Sequence, residues 1–461
     1  MKIVNNIEQS IFREYDLRGI YGKDINEDVS YTLGRSFGSY IKLRGETKTI
    51  IGHDNRESGE VITNALIKGI NDSGIDVINL GMVTTPMYYF ARIHNDLNTG
   101  IMVTASHNPK EYNGFKIALT KQGNAYGKMI YDFRDYTNKC EFSSGNGVEI
   151  KQDIKEEYLK LLKNSIHLGN RKIKVVVDCG NGTASIIIKD ILEQFNIEYD
   201  LLYCESDSSF PNHTPDPCVH ENQKDLSRRV VELGYDLGIG IDGDADRVGI
   251  VDEKGNIIET DKYMIIIYRN IVNKMKNKKA LFDVKCSRTL MDELDKLGIE
   301  KVMNRTGNSY AKKEMEEGNF DFGGEYSGHV FFRDKFPGFD DGIYAGLRMI
   351  EILSNTDKTL SSLLNVINSY YSTEELKFKS TEELKFNVVQ NIKNYAISKN
   401  YNIITLDGVR IEFPDGWALV RASNTGPNIT ARFEAKTKER LEELKSEFVN
   451  ELEKQLKPKT N

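Results

Sequence analysis

Residues 237–251 read LGIGIDGDADRVGIV, with Asp242, Asp244 and Asp246 at every second position of an otherwise apolar run. Carboxylates packed this closely repel one another unless a cation sits between them, and hard divalent ions such as Mg²⁺ take oxygen ligands. A metal-free acidic turn and a cation site both fit this short stretch alone. Two overlapping motifs fail. Asp242, Asp244, Asp246 and Glu253 fall at positions 1, 3, 5 and 12 of an EF-hand loop, but Arg247 stands where that loop needs glycine and the flanks read as strands. Gly238, Gly240 and Gly243 spell GxGxxG, yet Asp242 lies inside the motif and no helix follows to receive a pyrophosphate.

Outward from this run the sequence repeats an order of elements. KTIIGHDNRES (48–58), IKVVVDCGNGTAS (173–185) and KALFDVKCSRTL (279–290) each read as a buried strand, a polar turn and a helix. Each is followed by a second strand: GIDVINLG (74–81), NIEYDLLY (196–203) and GIEKVMNRTG (298–307). A third strand then opens on Leu97-Asn-Thr-Gly100, Tyr235-Asp-Leu-Gly238 or Phe320-Asp-Phe-Gly323. Such alternation predicts right-handed βαβ units with mainly parallel sheets. Just beyond each shared glycine lies a polar loop: TASHNP (104–109), DGDADR (242–247) and GEYSGH (324–329). Open α/β sheets bind ligands outside the carboxyl ends of their strands, so three related domains present three different loops from equivalent places.

The final segment departs from this order. VRIEFP (409–414), WALVRAS (417–423) and NITARFEA (428–435), closed by a charged helix over 436–456, predict a small antiparallel α+β domain. Its loop RASNTGPN (421–428) offers a guanidinium, hydroxyls, an amide and backbone N–H groups suited to a phosphate; a plain polar hairpin is the other reading. The stretch 368–400, with STEELKF at 372–378 and again at 380–386, reads as charged helix and hinge.

The 461-residue chain is 39% hydrophobic and 28% charged, which suits three or four domains with a large core. A net charge of −7 spread along the chain argues against nucleic acid as the main partner. No run approaches the roughly 18 apolar residues of a membrane span, and MKIVNNIEQS has no signal-peptide character. Five widely spaced cysteines without a CxxC pair fit reduced thiols in the cytoplasm.

Four loops facing one cleft would supply a nucleophilic hydroxyl, a Mg²⁺ site, a hydroxyl-recognising carboxylate and a phosphate anchor, an inventory that fits phosphoryl transfer on a phosphorylated polyol. An unactivated Ser106 is a poor nucleophile. As phosphoserine it is a phosphate donor, completing a metal shell with Asp242, Asp244 and Asp246, while Arg247 offsets charge on the transferring group. A helix N-cap or turn hydroxyl is the structural alternative for Ser106.

TASHNP, DGDADR, GEYSGH and RASNTGPN, in this order and at these separations, resemble the α-D-phosphohexomutases, most closely the bacterial phosphomannomutase/phosphoglucomutase branch. The likeness extends to FREYDLRG (12–19), YNGFK (112–116), DVKCS (283–287) and VFFRDKFPGFDDGIYAG (330–346), covering essentially the whole chain. It implies an α/β protein of four domains around a central cleft. Residues 1–150 would carry the phosphoserine loop, 151–255 the metal loop, 256–367 the sugar loop and 368–461 the smaller phosphate-binding domain. It also implies transfer between C1 and C6 of mannose or glucose phosphates through a 1,6-bisphosphate that turns end for end, with glucose or mannose 1,6-bisphosphate as activator. A cytoplasmic monomer or weak dimer is expected.

Carried over residue by residue, Tyr15 and Arg18 resemble substrate- and phosphoserine-contacting groups. Lys116 resembles the general acid/base, a role that requires its pKa to be lowered toward neutrality; His107 is a second candidate, or an orienting group. Lys285 would reach the substrate, and Glu325 and Ser327 would bracket two sugar hydroxyls. His329 would support that loop or touch ligand. Arg421, Ser423, Asn424 and Thr425 would hold the phosphate that is not reacting. Two positions depart from the branch. Asn308 stands where many members carry His, and Tyr326 stands where Met is common in the dual-specificity branch and Gln in the glucosamine branch. Tyr326 argues mildly against an amino-sugar substrate. Rival readings are a phosphoglucosamine mutase, a metal-dependent phosphatase and a non-catalytic phosphosugar-binding protein.

Overall fold

Three times the chain lays down the same four-strand unit. In the first, Lys48–His53 pairs in parallel with Asp76–Met82 on one side and Gly100–Val103 on the other, and Tyr112–Thr120 returns antiparallel to Gly100–Val103. The second repeats this with Lys174–Asp178, Glu198–Leu202, Leu237–Ile241 and the antiparallel Val248–Asp252. The third uses Lys279–Asp283, Glu300–Asn304, Phe322–Gly324 and the antiparallel Val330–Phe332. The sequence order of elements predicts the three parallel strands; the antiparallel fourth is an addition, and it turns each polar loop into a hairpin. A fourth, wholly antiparallel sheet contains Val409–Phe413, Gly416–Ala422 and Asn428–Ala435. The computed structural model describes residues 1–121, 123–424 and 426–456.

The central strands are apolar on both faces because both are covered. Ile50 and Ile51, adjacent in sequence and both fully buried, enter different cores. Ile51 joins the core under helices Glu27–Lys42 and Gly59–Asn71. Ile50 joins one apolar cluster that runs on through Val175 and Ile239 to Phe282 and Phe322, fastening the first three units together. The fourth unit has its own core around Ile411, Val420 and Phe433. A smaller apolar contact, Val284 against Trp417 and Leu419, docks it on the third. Stretch 368–400 is not simply helical: the first STEELKF copy forms strand Leu376–Lys379, paired with Asn428–Ala435, and the second leads into helix Leu384–Ser398. Phe378 alternates inward against the sheet core there, which gives that copy a strand period.

Helix Glu27–Lys42 starts where the Asn26 side chain accepts from the Val29 N–H, with Glu27 and Asp28 in its first turn. It lies directly against Gly59–Asn71: a Cβ at Gly34 would meet the Leu66 carbonyl oxygen at 2.2 Å, and one at Gly69 the Tyr31 carbonyl oxygen at 2.3 Å. We expect Gly34→Val to cost about 2 kcal/mol or more in urea unfolding, the order of overpacking at a closed contact. A loss below about 0.5 kcal/mol, the range of an ordinary surface change, would show that the helices separate freely.

Candidate functional site

The three hairpin loops and the fourth-sheet loop border one cleft of about 240 Å³, lined by Ser106, Lys116, Arg247, Glu325 and Arg421 among others. Ser106 sits in the left-handed backbone region, φ 50°, as does Ala245 in the aspartate loop, φ 69°. Non-glycine residues hold such conformations only where surrounding contacts fix them. Here the contacts are plain. The Ser106 N–H donates to Thr104 Oγ1 (2.8 Å), and Arg56 donates to the carbonyl oxygens of Ser106, Asn108, Pro109 and Tyr112. The aspartate loop comes so close that a Cβ at Gly243 would lie 2.6 Å from the Ser106 carbonyl oxygen. Only glycine permits that approach, which lets Ser106 Oγ donate to Asp242 Oδ2 at 2.8 Å.

Asp242, Asp244 and Asp246 are all fully buried. Burial and the two neighbouring carboxylates push the Asp242 acid well above the usual carboxylate range. Asp244 is also buried, but Lys116 outweighs that and holds it below the range. Lys116 donates to Asp244 Oδ2 at 2.7 Å and to Asp246, and Thr85 Oγ1 donates to Asp244 Oδ2 at 2.7 Å. One ligand oxygen from each aspartate lies within 4.8 Å of the others. Asp244 Oδ1 and Asp246 Oδ1 are buried with no hydrogen-bond partner among the described residues. Buried carboxylate oxygens left unpaired are costly, and an all-oxygen set of this kind suits a hard divalent cation.

The condition set for Lys116 as a general base is not met. Burial alone would lower its pKa, but Asp244 and Asp246 overcome burial and raise it well above the ordinary lysine value. It is held as an ammonium because it balances the carboxylates. His107, with Nδ1 3.1 Å from Ser106 Oγ, goes the other way: burial, then Arg247 and Arg18, press its pKa well below normal. Arg18 is itself held by Asp16 and donates to Asn108 Oδ1 at 2.8 Å, bracing the Ser106 loop.

Arg247 Nε donates to His329 Nε2 at 3.0 Å. A guanidinium has no acceptor, so His329 carries its proton on Nδ1, which lies 2.8 Å from Asp340 Oδ2. Asn308 Nδ2 donates to the same oxygen at 3.0 Å, and Lys312 Nζ lies 2.6 Å from Asp340 Oδ1. Glu325 accepts from the Gly307 N–H at 2.5 Å, and burial raises its pKa. Ser327 and Tyr15 line the cleft beside it. Across the cleft, Lys285 Nζ lies 3.6 Å from Glu375, and Arg421 Nε donates to Asp407 at 2.9 Å. Arg421 Nη2 and Asn424 Nδ2 are buried without a hydrogen-bond partner among the described residues. Lys385 Nζ holds the loop from within, donating to the Ser423 and Gly426 carbonyl oxygens at 2.8 and 3.2 Å. Thr425 lies outside the described residues.

Four family models match the chain in succession. Those for the alpha/beta/alpha domains I, II and III of phosphoglucomutase/phosphomannomutase cover residues 9–143, 156–255 and 259–370, and that for the C-terminal domain covers 375–451. The chain belongs to the phosphoglucomutase/phosphomannomutase family. It is similar to a phosphomannomutase/phosphoglucomutase of Pseudomonas aeruginosa, 41% identical over 443 residues that make up 96% of this chain and 95% of the relative. It is also similar to a phosphoglucomutase of Neisseria meningitidis, 38% identical over 449 residues with 96% of each covered. A crystal structure of a phosphoglucomutase/phosphomannomutase family protein from Burkholderia thailandensis superimposes with a TM-score of 0.90 at 34% identity, with 99% of each chain covered.

The four loops singled out in the sequence border one cleft, but their supports carry no motif of their own. Arg56 and Asp340 carry much of the local order, and both lie in stretches quoted above, HDNRES and PGFDDG, without a role. Adjacent acids at Asp340-Asp341 before a helix were the available signal: Asp341 caps helix Gly342–Ser354, which frees Asp340 to face inward. Tyr326 also reads differently. Its ring lies 3.6 Å from the Arg432 guanidinium of the fourth sheet, so the residue ties the 324–329 loop to the last unit as well as lining the cleft. Asp340 is fully buried, and although burial opposes it, Lys312 and His329 hold its pKa below the usual range. We expect Asp340→Asn to cost about 3–5 kcal/mol in denaturant unfolding, because it strands the buried Lys312 charge. Pairing it with Lys312→Met should recover part of the loss; equal costs for single and double variants would refute the coupling.

Proposed function

We propose that the protein is a phosphohexomutase that moves a phosphoryl group between C1 and C6 of glucose and mannose phosphates by way of phosphorylated Ser106. The observation that carries this reading is the pairing of Ser106 Oγ with Asp242 on one wall of the cleft, opposite the unpaired buried donors of Arg421 and Asn424 on the other. One wall suits the reacting phosphate and the other the phosphate at the far end of the sugar. The relatives named phosphomannomutase/phosphoglucomutase support the substrate class. Asp242, Asp244 and Asp246 would hold Mg²⁺, which when bound supplies charge stabilisation to the phosphoryl group.

In the forward half-reaction the P–Oγ bond of phosphoserine breaks and a P–O bond to the free sugar hydroxyl forms. The hydroxyl proton leaves, and one proton is taken up by Ser106 Oγ. His107, neutral and beside Oγ, is the group to relay it, while Lys116, already protonated, contributes charge together with Arg247. Glu325 and Ser327 would hold sugar hydroxyls as the 1,6-bisphosphate reorients, and Tyr15, Arg18 and Lys285 would guide its phosphates. The second half-reaction reverses the first with the sugar turned, returning a phosphoryl group to Ser106.

Intact-mass and peptide spectrometry should find Ser106 phosphorylated in part, or loaded by glucose 1,6-bisphosphate. Coupled assays should show conversion of glucose 1-phosphate and mannose 1-phosphate to the 6-phosphates, lost with EDTA and restored by Mg²⁺. Asp244→Ala should abolish turnover while leaving the fold intact. Turnover of glucosamine 1-phosphate alone would overturn the substrate assignment. Protein that takes no phosphate at Ser106 would overturn the mechanism.

A further inference from the structure

The two STEELKF copies occupy different elements but put the same residue, the lysine at their sixth position, at the loop 421–428. Lys385, from the second copy, is buried and holds that loop through its carbonyl oxygens. Lys377, from the first, lies on strand Leu376–Lys379 and lines the cleft. Its register is informative. Lys377 pairs with Thr430 on the neighbouring strand, and Thr430 pairs in turn with Arg421 on the next. Directly opposed residues of antiparallel strands share a face, with Cβ atoms about 5 Å apart. Lys377, Thr430 and Arg421 therefore form one transverse row, and all three line the cleft.

Two features mark this row as built for an anion. Thr430 is 4% exposed, yet its Oγ1 is buried with no hydrogen-bond partner among the described residues. The cleft's other lysines and arginines are matched by carboxylates: Arg18 by Asp16, Lys116 by Asp244 and Asp246, Arg247 by Asp242, Lys285 by Glu375, Arg421 by Asp407. Among the described residues, Lys377 is the one lysine or arginine lining the cleft with no carboxylate within 4.0 Å. A cation whose charge is already balanced gives a phosphate less net attraction than an unbalanced one.

We propose that Lys377 and Thr430 extend the phosphate site of the fourth unit beyond Arg421, Asn424 and their loop, gripping the sugar phosphate remote from Ser106. This rests on the mutase reading for its substrate but not for its anion, so two readouts separate them. The first is calorimetric titration with inorganic phosphate, which needs no turnover. The second is the split of kcat and KM for glucose 1-phosphate. Lys377→Met should weaken phosphate binding and raise KM about tenfold each, with kcat changed less than about threefold, the signature of lost uniform binding. Lys377→Arg should return both to within about threefold of wild type, and Thr430→Val should weaken both about threefold. Because Lys377 is exposed on a strand surface, Lys377→Gln serves as a second neutral variant with the same expectation. Phosphate affinity and KM within twofold of wild type in both neutral variants would overturn the proposal, as would a loss confined to kcat. Wild-type protein that binds phosphate through Lys377 yet turns over no hexose phosphate would uphold this site and overturn the mutase reading.

Discussion

Three buried carboxylates at one strand end are the constraint on which this cleft depends. Asp242, Asp244 and Asp246 have no solvent to screen their repulsion, so every neighbouring element is arranged to supply positive charge, donors or close backbone. Lys116 comes from the returning strand of the first unit and Thr85 from the helix beside it. Arg247 turns back along the same loop toward Asp242 and is held there by His329 of the third unit. The loop's shape is set from the third unit too, where the Gly342 N–H donates to the Ala245 carbonyl oxygen at 2.9 Å. Charge compensation across domain boundaries thus ties the site and the architecture together: Lys116, Arg247 and His329, which help make the acid cluster tolerable, also line the cleft.

Topology delivers these groups economically. Each repeat ends its third strand at the cleft and turns straight into an antiparallel strand, so the polar hairpin is pinned at both ends. Because one apolar cluster runs through all three repeats, the hairpins keep their relative positions without loop-to-loop contacts having to supply the energy. The fourth unit differs. Its core is separate, and it meets the third through Trp417, Leu419 and cationic contacts such as Arg432 on Tyr326 and Arg410 donating to the Val284 and Cys286 carbonyl oxygens. This interface is polar and stacked, unlike the continuous apolar cluster that joins the first three units.

The repeat, the three loops and the antiparallel last sheet were legible in the sequence because strand burial on both faces and shared glycines leave a local trace. What escaped was everything set by distance in three dimensions. Lys116 read as a general acid/base on condition of a lowered pKa, and no local feature of YNGFK tells that its ammonium ends between Asp244 and Asp246. Asn308 stood out only as a departure from the branch; in the fold it is one of three groups on Asp340, a residue whose inward turn depends on its neighbour Asp341 taking the helix cap. The first STEELKF copy read as helix by charge pattern, whereas pairing with Asn428–Ala435 makes it a strand and brings Lys377 into the cleft. Tertiary pairing overrode local propensity in that case.

In the proposed mechanism Ser106 carries the phosphoryl group and hands it to a sugar hydroxyl. Protein loaded at Ser106 with ³²P and mixed with unlabelled glucose 1-phosphate in a single turnover tests it directly. The label should leave the protein and appear in hexose bisphosphate and then in hexose 6-phosphate, with little inorganic phosphate. Label that stays on the protein, or that leaves only as inorganic phosphate, would contradict the claim.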